Sequence, residues 1–251
     1  MAKSVKDKGI VIRWIIAIAV AAAAMWLLAL CLKGCNRQEP QATEPTVVSK
    51  QDGIPGIDVS SHQGEIDWQA VADSGVRFAF VRLGYRGYDS GTIHVDSNAR
   101  QNLEGARAAG LQVGAYFFSQ ALTGEEALEE AELALEVLGE FKLDLPLVYD
   151  WEFVSKDART GAMTPQELLA CVHSFCGEVE AAGYGPMLYF NRELARTLLD
   201  LDRVKQYPFW LASYTEELNF SHEVRFWQYT DQGSVPGIEG NVDLDVYFPE
   251  K

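Results

Sequence analysis

"AAGLQVGAYFFS", residues 108–119, is the stretch on which the fold turns. Two alanines suit the end of a helix, and Gly110 suits its C-cap. The run from Leu111 to Ser119 is apolar enough to be a strand covered on both faces. The same unit stands at "DSGVRF" (73–78) and "AAGYGP" (181–186). A recurring helix, glycine and strand is a βα repeat.

Working outward, eight strand candidates follow one another at 56–61, 77–85, 111–119, 145–152, 185–191, 208–214, 224–230 and 242–248. Most are continuous apolar runs rather than alternating ones. Helices fill the earlier gaps. Ala99, Leu103 and Ala106 keep helical spacing within 96–109. "TGEE" (123–126) and "TPQE" (164–167) are capping boxes, the second with Pro165 in its first turn. The end differs, because the gaps after Tyr214 and Thr230 are short and the second, "DQGSVPGIEGN", is rich in Gly and Pro. The expectation is an α/β fold: an irregular TIM-like (β/α)5β3 barrel whose last strands close through short connections, some antiparallel.

Acids interrupt these apolar runs at a few places. Asp58 interrupts "GIDVSS", Asp150 and Glu152 end "LPLVYDWE", and Asp243 and Asp245 sit in "NVDLDVYF". Residues two apart on a strand share a face, so Asp150 and Glu152 point into the barrel while Trp151 points out. A parallel barrel builds its site at the C-terminal ends of its strands. Neighbouring carboxyls cannot easily both ionise, and a protonated acid beside an ionised one is what glycosidic cleavage requires. A lone D-x-E at a strand end is more often structural than catalytic. Three acidic sites in apolar context on three strands reverse that balance. Tyr85, Tyr116, Phe118, Tyr189, Trp210, Trp227 and Tyr229 lie on or just past strands, where about half serve the core and others offer faces to sugar rings. Arg82, Asn191 and Gln228 are candidate hydrogen-bonding groups for hydroxyls or an acetamido group. Arg82 serves equally well as a salt bridge orienting an acid.

The first 50 of the 251 residues are of another kind. Residues 1–13 are basic, and Trp14 to Leu32 carries no charge over a length that suits a membrane-spanning helix. A signal peptide would have a shorter apolar core, and neither Cys31 nor Cys35 follows the residues a lipoprotein signal wants. The expectation is a cytoplasmic segment (1–13), a retained single-pass anchor (14–32), a polar linker (33–53) and a catalytic barrel (54–251) outside the cell membrane. Beyond residue 35 the chain holds 16 basic and 35 acidic residues, a net of −19, which argues against nucleic-acid binding. Cys171 and Cys176 read as buried thiols. The four histidines show no metal-ligand spacing, so no metal and no cofactor are expected.

Six segments occur in order: "GIDVSSHQG", "VYDWE", "GYGPMLYFN", "FWLASY", "FWQYT" and "GNVDLDVYF". Over residues 54–248 the chain resembles the glycoside hydrolase family 25 lysozymes, the Chalaropsis-type muramidases. The resemblance implies hydrolysis of the β-1,4 bond between N-acetylmuramic acid and N-acetylglucosamine in peptidoglycan, with retention through the substrate's own N-acetyl group. It places catalytic roles on Asp58, Asp150, Glu152 and Asp243, with Glu152 as proton donor and Asp150 or Asp243 steadying an oxazolinium. It also implies an irregular barrel of five βα units and three strands. Asp245 departs from a position that is often Asn. The substrate-binding set expected is Arg82, Tyr85, Tyr116, Phe118, Tyr189, Asn191, Trp210, Gln228 and Asp245. The expected picture is a monomer acting on glycan strands in cell-wall remodelling. The alternatives are a glycosidase acting on another amino-sugar polymer such as chitin, and a non-catalytic wall-binding barrel.

Overall fold

A computed structural model describes residues 46–249 of the chain. The expected cytoplasmic segment, the anchor and most of the linker lie outside the described residues. Among the described residues no helix is long and apolar enough to cross a membrane.

The strands are β1 (Thr46–Ser49), β2 (Ile54–Val59), β3 (Phe78–Arg86), β4 (Ile93–Val95), β5 (Gln112–Ser119), β6 (Leu147–Trp151), β7 (Pro186–Asn191), β8 (Phe209–Ala212), β9 (Glu217–Phe220), β10 (Phe226–Gly233) and β11 (Val242–Tyr247). The helices are α1 (Trp68–Asp73), α2 (Ala99–Ala108), α3 (Gly124–Leu138), α4 (Pro165–Ala181) and α5 (Arg192–Thr197). Helices α3 and α4 are both capped by the expected threonines, but only the second closes as a box, because the Glu126 carboxylate takes the Leu122 N–H instead. Thr123 Oγ1 accepts the Glu126 N–H, and Thr164 and Glu167 form a reciprocal box opening α4. Gly110 and Gly183 lie just past α2 and α4 at φ of +82° and +85°, a conformation that a Cβ would strain.

Strands β2, β3, β5, β6, β7, β8, β10 and β11 pair in a closed ring, with β4 added at the far end of β3. Seven of the ring strands run parallel, and β11 runs antiparallel to both its neighbours, β10 and β2. The five βα units and three closing strands follow the expected order. The return from β8 to β10 is nonetheless parallel. Strand β8 ends at Ala212, earlier than the apolar run suggests, which leaves residues 213–225 to make the crossover without a helix.

Residues 46–53, expected within the linker, belong to the fold. Strand β1 pairs antiparallel with β9 inside that crossover, from Thr46↔Phe220 to Ser49↔Glu217.

Side-chain parity sets the layers. Outward-facing Leu147, Tyr149 and Trp151 join the apolar layer under the helices. There Tyr149 packs on Phe175 at 4.8 Å, and Trp151 Nε1–H donates to the Ala121 carbonyl. Inward-facing Val148 joins Phe78, Phe80, Met187, Trp210 and Phe226 in the barrel interior. Phe80 stacks on Trp210 at 4.6 Å and Phe226 on Tyr247 at 4.5 Å. Aromatic rings therefore plug the lower barrel, and most of its polar groups gather at the mouth.

Cys171 and Cys176 are free and buried in the helical layer.

Candidate active site

The mouth holds a cleft of about 320 Å³. Four of its acids are Asp58 from β2, Asp150 near the end of β6, Glu152 just past it, and Asp243 from the start of β11. Because β11 runs the other way, it offers its beginning where the other strands offer their ends. Asp243 and Asp58 face each other across one rung of that pairing.

Asp58 and Asp150 are 6 % and 5 % exposed, and Glu152 is the half-buried member of the D-x-E pair. The geometry around Asp58 fixes what it receives. Gln228 Oε1 accepts both the Tyr189 and Tyr214 hydroxyls, each at 3.0 Å. Its amide N–H is thereby turned to Asp58 Oδ2, at 2.8 Å. One Asp150 oxygen is buried with no donor directed at it, and the polar neighbour beside it is Glu152.

Burial raises all four acids. Asp150 is raised further by the Glu152 charge, against the pull of Arg82. Glu152 is raised by burial and then by Asp243. Asp58 is raised by burial and by the charges of Asp245 and Asp243. Asp243, more open, is pushed up to about 6, with Asp231 adding to burial. The mouth therefore keeps protons on some carboxyls near neutrality, the condition for general-acid chemistry.

This electrostatic arrangement also sets a stability profile. A carboxyl raised in the folded state holds a proton that the unfolded chain releases, so its contribution is complete below about pH 4 and is lost as pH rises through the folded value. Asp243 at about 6 and the buried Glu130 at about 7 place that window between about pH 4 and 7. Glu126, held down chiefly by Arg159, acts in the opposite sense. The melting temperature is expected to fall by about 5 °C between pH 5 and pH 7.5, from about 2 kcal/mol of linkage. A calorimetric melt that is flat or rising across that range would contradict it.

Of the expected substrate-binding residues, Arg82, Tyr116, Phe118, Tyr189, Trp210 and Gln228 line the cleft. The other three lie elsewhere. Tyr85, near the end of the long β3, stacks on His94 of β4 at 5.0 Å. Asn191 caps α5, its Oδ1 accepting the Leu194 N–H, and borders a separate pocket of about 230 Å³. Asp245 is wholly buried beneath Asp58, with Trp210 Nε1–H on its Oδ1 at 2.8 Å. Arg82 pairs with Asp96, not with a cleft acid, its Nε–H donating at 2.8 Å. Asp96 also takes the Ser61 and Asn98 amides, so Arg82 is held at the rim by the segment after β4.

The cleft also holds residues the sequence reading passed over: Ser60, His62, Gln63, Tyr214 and Asp231. The first three lie in the quoted "DVSSHQG" stretch. Tyr214 follows the end of β8 by two positions, a place where barrel sites recruit residues, and Asp231 lies in the second half of β10.

The family model for glycosyl hydrolases family 25 matches residues 57–238. The uncharacterized protein YegX of Escherichia coli K12 is 34 % identical over 203 residues, covering 77 % of this chain and 69 % of that protein. The modular autolysin LytC of Streptococcus pneumoniae superposes with a TM-score of 0.68 at 26 % identity, covering 80 % of this chain. The chain spans about half of that autolysin, 48 %, which has also been solved with a synthetic peptidoglycan ligand. A bacterial lysozyme from Streptomyces coelicolor superposes with a TM-score of 0.65 at 25 % identity, covering 78 % of this chain and 92 % of that one.

Proposed function

Because the chain belongs to family 25 of the glycosyl hydrolases, we propose that its cleft hydrolyses peptidoglycan as a lysozyme of the muramidase type. The observation that carries the reading is the facing arrangement of Asp150 and Glu152 against Asp58 and Asp243 in one cleft at the barrel mouth.

Glu152 is the acid that gives its proton to the glycosidic oxygen, since it is the more open member of a pair with raised proton affinity. Asp150 lies behind it, and Arg82 favours the anionic form of Asp150 once the proton has left. The remaining negative charge faces the oxocarbenium-like centre and stabilises it. The N-acetyl oxygen of the substrate attacks C1, Asp150 or Asp243 steadies the resulting oxazolinium, and water then opens it with retention. Tyr116, Phe118 and Trp210 supply apolar walls, and Arg82 and Gln228 supply donors. Every acid in this account comes from one chain, so the cleft needs no residue from a second copy. Digestion of purified peptidoglycan beside chitin tests the assignment. Fragments from peptidoglycan with new reducing ends on N-acetylmuramic acid are expected. Release from chitin instead would overturn it. Proton NMR of the first anomer released checks retention.

The uncharged run at 14–32 supports a membrane-held enzyme with its barrel outside, remodelling wall near its own membrane. Deleting residues 1–32 is expected to move the protein to the soluble fraction and leave turnover on purified wall unchanged. Release of fragments from living cells should fall. Equal release by both forms would remove the remodelling role.

A further inference from the structure

Asp245 is a buried acid that the catalytic account leaves unused. It lies two residues beyond Asp243 on β11 and opposite Gly56, one step below Asp58 on the neighbouring strand. Its exposure is 0 %, and its Oδ1 takes the Trp210 Nε1–H at 2.8 Å. Its Oδ2 is buried with no N–H or hydroxyl directed at it. The polar group within hydrogen-bonding reach is the Asp58 carboxyl. Two carboxylates cannot abut in a barrel interior without a proton or a cation between them.

The charged and titratable groups facing the pair supply no cation. Arg82 of β3 is bonded to Asp96. Tyr116 of β5, Tyr189 of β7 and Tyr214 after β8 feel the charge of Asp58, and Tyr229 of β10 feels that of Asp245. All four hydroxyls are raised and stay neutral through the working range. Asp243 adds a like charge.

We propose that Asp245 is a positioning residue that shares one proton with Asp58, and that this proton fixes the Asp58 carboxyl in its catalytic orientation. Asp58 is then held from two sides, by the Gln228 amide and by the shared proton. Trp210 orients Asp245 in turn, so the wall of the cleft and the acid beneath it are one hydrogen-bonded unit. The pair carries a single charge while the proton is present. When it leaves, two adjacent anions repel, and the Asp58 carboxyl swings or draws water inward. The inference rests on the muramidase reading for its activity readout, but the shared proton itself does not.

An asparagine has the shape and polarity of a protonated aspartate. In Asp245→Asn the Oδ1 still accepts from Trp210, and Nδ2 donates to Asp58 with a hydrogen that does not titrate. That variant is expected to keep kcat within about threefold at the optimum and to move the alkaline limb of the pH profile up by about one unit or more. Asp245→Leu removes the donor, and kcat should fall by about 30-fold with KM little changed. An Asn variant with the wild-type limb, or a Leu variant with wild-type kcat, overturns the proposal. If the Leu variant fails to fold, the Asn variant decides alone. Infrared spectra of the folded proteins provide a readout without turnover. The wild type should show a stronger protonated-carboxyl band near neutral pH than the Asn variant, in which only the other raised carboxyls contribute. Equal bands overturn the shared proton. A wild type that shows the band and does not cut wall would sink the muramidase reading and leave the shared proton standing.

Discussion

The Glu152→Gln variant is expected to bind glycan strands and not cut them. Its amide is nearly the size of the carboxyl but has no proton to give to a leaving oxygen. Loss of a general acid in this setting lowers kcat by about 10³-fold, while KM should stay within a small factor. The fold gives the variant no reason to fail. Glu152 is raised by burial and then by the Asp243 charge, so removing its ionisation relieves repulsion. Its melting temperature should equal or exceed that of the wild type above pH 7. Asp150→Asn offers a contrast at the same pair. It keeps the Glu152 proton but removes a carboxylate that faces the cationic centre, so kcat should fall by about 10²-fold with KM little changed. Turnover by Glu152→Gln above about a tenth of wild type would place the proton donor elsewhere.

The second large effect lies away from the cleft. Arg86, only 4 % exposed at the end of β3, is gripped from several sides. Its Nε–H donates to Glu130 at 2.7 Å, its Nη1 to the Gly91 carbonyl, and its Nη2 to Glu129 and the Glu126 carbonyl. One guanidinium thus joins β3, the turn toward β4, and α3. Arg86→Met leaves Glu130 buried without its cation. Breaking a buried pair from one side costs about 3 to 5 kcal/mol, or about 10 °C in melting temperature for a domain of this size. The double variant Arg86→Met/Glu130→Met removes both charges and should recover most of that loss. If the double variant is as unstable as the single one, packing rather than charge holds this corner. Chemical denaturation of the single and double variants separates the two.

The barrel strands were legible because each is a run of apolar residues covered on both faces, and glycine marks the turn into several of them. Strands β1, β4 and β9 were not. They are three or four residues long and lie off the barrel ring, where pairing rather than composition makes them strands. The acids were legible by parity, since residues two apart share a face. Parity says nothing of depth, and this is why Asp245 was read as part of the cleft when it lies beneath it. Asn191 shows the same limit from another side. It ends a strand, but α5 begins at the next residue, and the free amides of the helix start claim the side chain as a cap. Tyr85 fails because β3 extends beyond the mouth to meet β4. Arg82 was weighed correctly as an ion-pair former, but its partner comes from the segment after β4, which no local pattern reveals.

The rung that joins Asp58 to Asp243 ties the first strand of the ring to the last. A chain emerging from the ribosome makes residue 58 a full 185 positions before residue 243. No mouth exists in the interval, however well the middle units have folded. Ring closure is a contact between distant parts of the polypeptide, the kind that slows folding. Activity is thereby withheld from every product of translation that stops short of β11, and such a fragment has no mouth with which to attack glycan.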